Sequence, residues 1–588
     1  MSPVADSNAS PTRLPAVGRF GHCGWLLRHG LLALASLAAA ATASPTFARG
    51  ELCGIFVSTL GADTPDCGLS PDSPCATIQH GVGRAAELGA TCVFIQTGAY
   101  VEFVKLQPGV NLFGGFSLDW EAGPVTEREH LTVLTGAFDA SNGVWAALFA
   151  QSIPFAEAPT IADLVIRGPD VPNGSLINGN GRPSMAILAQ SSGIVVLRCR
   201  VEAGQGGLGL NSLSGTNAWP LVATSSMVGV DGSDGQSGGC STASPTPGAG
   251  GINPLVGDNA TGGLGGGGGA ADTQCGFPSN GQPMAGAPGE DGLGLNGGGG
   301  GLLGPSCGPG GIGIPAQPVN GAGGAGGSSY TLFGLNVLAN AGTAGSLGAH
   351  GSGGGGGGGA GGCNSPVNHS GGAGGGGGAG GLRSPTAGQP GRGGGPSLGL
   401  VLVLSNAKVT DCLFVGGIGG NGGPGGKGGI GQAGGAGGLG GASPFGADVG
   451  GVGGAGAHGG HSGGGGGGAG GPSIAITGAS TGSVVQLTNV QVIPGVPGAG
   501  GAGGAPAAAL PPDNDGHPGA TGAAGIVGSF SALTIGPVSL AEAVCDPLPC
   551  APPRPKPCLG DLNEDGIVDG ADLGLLLSAW GLCPDAKP

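Results

Sequence analysis

The sequence predicts an all-β chain: short strands that repeat and stack as a solenoid, long glycine-rich insertions between them, and a small C-terminal loop-helix module. Three observations lead there. Glycine supplies 146 of 588 residues, and 111 of the 146 lie between positions 231 and 530. Short apolar runs bounded by Gly or Pro stand before and between the glycine tracts. Near the C-terminus, twelve residues carry oxygen side chains at the spacing of a cation loop. The glycine excess rules out a compact enzyme along the whole length, because Gly has no side chain to bury and loses the most freedom on ordering. Positive mean hydropathy and 39% apolar residues exclude the ordinary disordered composition as well.

Residues 1–43 read as an export signal. Arg13, Arg19 and Arg28 form a basic region, Leu31 to Ala41 an apolar run, and Ala41-Thr42-Ala43 the small residues of a cleavage site. The apolar run is too short to span a bilayer, and no later segment is apolar enough to do so. Cleavage there removes a net +2 from the formal charge of −16 and leaves −18. That balance opposes nucleic acid and anionic lipid, and suits an extracellular protein that meets calcium. Fourteen of the 15 cysteines remain, an even number for an oxidising compartment. Cys53, Cys67, Cys75 and Cys92 cluster at the mature N-terminus, and Cys545, Cys550, Cys558 and Cys583 at the C-terminus, so disulfides are expected at both ends. The pairing stays open. A zinc site is disfavoured, since there is no CxxC pair.

Residues 51–230 are expected to form an N-terminal parallel β-helix region, of which 51–136 is the most conventional stretch. Ala76 to Leu88 is expected to form a helix, followed by strand runs Cys92 to Gly98, Tyr100 to Leu106 and Val110 to Phe116. Ser73-Pro74-Cys75-Ala76-Thr77-Ile78-Gln79, then Gly98 to Glu102 and Gly109 to Phe116, resemble the opening of secreted right-handed parallel β-helix proteins of the pectin-lyase-like class. The resemblance implies a capping helix, coils of short strands, and ladders of stacked side chains inside.

The repeat continues through the glycine-rich region 231–530. Pro183-Ser184, Pro396-Ser397 and Pro472-Ser473 each open an alternating apolar run, and each is followed by a second: Val195 to Val201, Val409 to Val415, and Val484 to Val492. Such units cannot bury an apolar face alone, so stacking must supply the core. The tracts between them have a period of three, unbroken from Gly416 to Ala442 and kept at 342–357, 495–504 and 516–525. Period three is the repeat of the polyproline II helix. Without Cβ atoms, such segments can pack side by side, the alternative being a flexible linker. Their Gly-Gly-X pattern resembles the glycine-rich repeats of the mycobacterial PE-PGRS surface family, without that family's helical domain. Phosphate loops are excluded, since Gly426-Lys427 is followed by Gly428 rather than a hydroxyl.

A Pro/Cys linker, 531–557, leads to the module 558–588. Within it Asp561, Asn563, Asp565, Asp569 and Asp572 fall at loop positions 1, 3, 5, 9 and 12, Gly566 at the turn, and Ile567 offers a backbone carbonyl. Ca²⁺ is the expected ligand, and Leu573, Leu576, Leu577 and Trp580 follow at helical spacing. The loop and helix resemble one repeat of a type I dockerin, a calcium-dependent module of polysaccharide-degrading systems. Gly570 and Ala571 stand where that family presents hydroxyls to cohesin, so a cohesin partner is not expected.

Two functions follow. The leading one is a secreted or cell-surface solenoid acting as scaffold or adhesin toward a polysaccharide or matrix partner, with no chemistry of its own. The alternative is a polysaccharide lyase or hydrolase carrying a dockerin-like tag. Catalysis of that kind needs clustered carboxylates. Asp119, Glu121, Glu127, Glu129, Asp139, Asp163 and Asp170, with Arg128 and Arg167, are instead scattered near turns.

Overall fold

The computed structural model describes residues 54–542 except 125, 238–243, 271–283, 329, 334–335, 365–367, 444–447, 479–481, 509–516, 518–524 and 529–532. The export signal, Cys53, the C-terminal cysteines and the calcium loop lie outside the described residues.

A strand, Ile55–Val57, precedes the helix Ile78–Leu88, which is two residues shorter than expected at its start. Thr77 caps it, accepting from the His80 N–H, and Gly89 closes it with a left-handed φ of 72°. The Glu102 carboxylate accepts from the N–H groups of Ile78 and Gln79 at 2.9 and 2.8 Å, so a side chain from the following strands anchors the helix start. Ile78, Gly81, Val82 and Ala85 turn inward.

Thereafter the chain visits three parallel sheets in rotation. Sheet A contains Ile55–Val57, Cys92–Gln96, Asn111–Phe116, Thr160–Ala162, Gly193–Leu197, Asn406–Thr410, Val484–Thr488 and Thr534–Ile535. Sheet B runs through Gly98–Val101, Thr132–Thr135, Val165–Arg167, Arg200–Glu202, Leu413–Val415 and Gln491–Ile493. Sheet C holds Val104–Lys105, Val144–Gln151, Ser184–Gln190, Ser397–Val403, Ser473–Gly478 and Val527–Gly528. The three Pro-Ser runs pair in register, Ser184 with Ser397 and Ser397 with Ser473. The repeated islands therefore stack, although residues 203–396 separate the first two.

Inward side chains from all three sheets form one core, including Ile95, Leu112, Leu148, Ile166, Ile187, Val196, Leu400, Val409 and Phe414. Sheet C is buried on its outer face too, where Phe149, Leu188, Leu398 and Val401 pack with Phe103 and Tyr330. This explains its near-continuous apolar runs. Outside sheet A, Phe56, Phe94, Phe116 and Trp120 make edge-on and tilted ring contacts.

The glycine tracts are packed segments. From sheet B they leave in the register of its strands: Arg200 pairs with Leu413, and beyond them Gly206, Gly209 and Ser212 donate to Ile418, Asn421 and Pro424. Ladder contacts thus pass from every second residue to every third. Farther out, segments 353–362 and 371–381 lie side by side at the centre of a bundle. Gly374, Gly375 and Gly376 donate to Gly266, Gly451 and Val230, three different neighbours, at 2.8, 3.0 and 2.9 Å. Hydrogen bonds close a ring around this pair through 284–293, 298–304, 308–316, 449–457, 433–442, 227–235, 246–252 and 261–270, in that order, and back to the first. Two touching centres in hexagonal packing have eight outer neighbours, and eight segments form the ring. Cys307 and Cys363 join an outer turn to the end of an inner segment by a disulfide, in a region where none was expected.

Candidate functional site

The outward face of sheet B carries a concentration of charge beside a cleft. At the turn from sheet A to sheet B, Asp163, Arg198, Asp411 and Asn489 occupy equivalent places, and all four have left-handed φ of 49–55°. Two residues later Val165, Arg200, Leu413 and Gln491 pair across the sheet, followed by Arg167, Glu202, Val415 and Ile493. A cleft of about 490 Å³ lies over these columns, lined on one side by Thr126 and Leu131 and floored by Val165 and Leu413.

Its charges are organised. Arg198 makes a two-pronged contact with Asp163, Nε to Oδ1 at 2.8 Å and Nη2 to Oδ2 at 2.5 Å. This contact raises the Arg198 guanidinium above its ordinary pKa. Asp411 accepts from the Asn489 amide at 2.7 Å. Glu202 receives two arginines at once, Arg167 Nε on one oxygen and Arg200 Nε on the other, each at 2.5 Å. Both guanidinium groups are half-exposed. Both residues line the cleft.

Of the acidic residues expected near turns, only Asp163 joins this constellation, with Arg167 beside it. Glu127, Arg128 and Glu129 sit in a short 3₁₀ turn just before Leu131. Asp139 organises its own turn: burial pushes its pKa up, but hydrogen bonds from Ser141 and Asn142 outweigh this and hold it below the carboxylate range. Asp170 accepts from the Gln205 N–H, while Asp119 and Glu121 stand in an exposed turn with Ser117. Arg198, Arg200, Glu202 and Asp411 escaped the sequence reading. Their one signal was position: they flank Cys199 and Cys412 in two islands 213 residues apart.

Two other clusters have structural roles. Asp63, Cys67, Cys75 and His80 approach within 4.8 Å of one another. However, Cys67 and Cys75 are joined as a disulfide, which removes both thiolates, and Asp63 accepts from Ala76 and Thr77. Deep in the glycine region, the His458 and His461 rings stack at 4.5 Å. Asn253 with Gln432, and Ser384 with Ser462, form buried hydrogen-bonded pairs where side chains interrupt the glycines.

The expected metal ligands Asp561, Asn563, Asp565, Ile567, Asp569 and Asp572 lie outside the described residues. No known family model matches this chain, and no match exists among curated proteins or solved structures.

Proposed function

We propose that this chain is an exported extracellular or cell-surface protein, a right-handed parallel β-helix of pectin-lyase-like kind working as scaffold or adhesin. Its C-terminal dockerin-like loop, with Asp561, Asn563, Asp565, Asp569, Asp572 and the Ile567 carbonyl as ligands, holds Ca²⁺ and stabilises that end. The observation that carries the reading is the closed ring of eight glycine-rich segments around two inner ones. Such a bundle offers a large ordered surface but almost no functional groups for chemistry. The cleft on sheet B adds support, because its carboxylates are engaged by arginine or amide groups rather than paired with each other across a gap.

The test uses the full secreted chain, with calcium or with chelator, against pectin, alginate and xylan. Retention on a polysaccharide without new reducing ends or unsaturated products is expected. Turnover would replace this reading with the lyase or hydrolase alternative. Calcium should raise the unfolding midpoint, and Asp561→Ala with Asp565→Ala should abolish that shift; an unchanged shift would remove calcium from the proposal.

A further inference from the structure

We infer that the sheet B cleft binds the sulfate ester groups of an extended glycan through Arg167 and Arg200. The inference rests on the extracellular reading above and adds a ligand class to it. The geometry begins with Glu202. Each of its carboxylate oxygens takes the Nε–H of one arginine, so a single acid fixes two guanidinium planes at neighbouring rungs of the sheet. The triad carries a net charge of +1, and the terminal Nη groups remain to face a ligand. Of the nearby acids, Asp163 is neutralised by Arg198, whereas Asp411 accepts from a neutral amide and keeps its charge, so recognition rests on the directed Nη donors rather than on net charge.

A carboxylate ligand presents only two oxygens, both in one plane, so it meets two separately oriented guanidinium groups less fully. A tetrahedral sulfate ester presents three terminal oxygens and can accept from two guanidinium groups at once. The lining favours a sugar over a free ion, since Leu131 and Leu413 place aliphatic surface beside the arginines. A pyranose ring has apolar C–H faces that can lie there while its ester reaches the forks. The acidic balance of the chain does not forbid this, because repulsion from charges beyond about 8 Å is screened at physiological salt.

The experiment is calorimetric titration of the intact chain with dextran sulfate, with polygalacturonate, and with inorganic sulfate. Dextran sulfate should bind at least tenfold more tightly than either of the others. Arg167→Gln with Arg200→Gln should weaken dextran sulfate at least tenfold at an unchanged unfolding midpoint. A second variant, Arg167→Lys with Arg200→Lys, keeps the charge and loses the planar forks, and should also weaken binding severalfold. Undiminished binding by the Lys variant would reduce the effect to non-specific charge and overturn the inference. So would equal affinity for polygalacturonate, or no binding of dextran sulfate by the unaltered chain. None of these failures touches the scaffold reading. Cleavage of the sulfated polymer would overturn that reading and leave the arginine site standing.

Discussion

Single residues gain their meaning from the rung above and the rung below. Ser184, Ser397 and Ser473 each send a hydroxyl to a backbone carbonyl where the chain has just left sheet B: Pro169, Gly204 and Gly417. Each Pro-Ser pair therefore marks entry to sheet C. A second serine ladder, Ser192, Ser405 and Ser483, links successive turns, with each upstream N–H donating to the next hydroxyl. Cys199 and Cys412 form a third stack. The Cys199 N–H lies 3.4 Å from the Cys412 Sγ, and both thiols are free and buried. Burial pushes the Cys412 thiol from 9.0 up to about 11. The folded chain thus holds this proton more tightly than the unfolded one. Its contribution is complete below about pH 9 and is lost as pH rises towards 11, at about 1.4 kcal/mol per pH unit. Denaturant unfolding at pH 8, 9.5 and 11 should show stability falling over that window, with a shallower fall in Cys412→Ala.

Among the elements, the glycine segments differ most from what composition alone conveys. A Cβ added at Gly375 would stand 2.1 Å from the Gly438 carbonyl oxygen, and one at Gly374 would stand 1.9 Å from that of Gly357. Close approach from several sides is the reason those positions are glycine. On the ring, the third residue of a triplet points outward and has room: Leu302 is 79% exposed and Ile312 72%. Such side chains also end the lattice, because a further glycine segment could not come close over them. Gly375→Val should therefore destabilise the chain by at least about 3 kcal/mol. Leu302→Ala should change stability by no more than about 0.5 kcal/mol. Thermal unfolding of the two variants makes the comparison. Period three was legible in the sequence, whereas the sequence left open whether the segments pack or stay flexible. Which segments touch was not, since runs of Gly and Ala carry almost no information about partners.

At the scale of the molecule, insertions of very different length return to the same register. Residues 203–396 and 416–472 both leave sheet B and re-enter sheet C beside the preceding rung. Their segments then interleave: the inner pair comes from the first insertion, while ring segments 433–442 and 449–457 come from the second. Cys307–Cys363 closes a 56-residue separation inside the first insertion. Constraining a loop of that length lowers unfolded-state entropy by about 4 kcal/mol. Cys307→Ser with Cys363→Ser should lower the unfolding midpoint and make the turn near 305–308 an early site of limited proteolysis.

By itself the sequence determined the all-β class, the helix ahead of the strands from Cys92 onward, the three Pro-Ser units and the period of the glycine tracts. Each is set by local chemistry: alternation, capping, proline's missing donor or the missing Cβ. Only the tertiary structure decided that the segments form a ring around an inner pair, that Cys307 meets Cys363, and that Arg167 and Arg200 share Glu202. These depend on contacts between residues tens or hundreds of positions apart. In a chain with so few distinctive side chains, such contacts follow from stacking register rather than from any local motif.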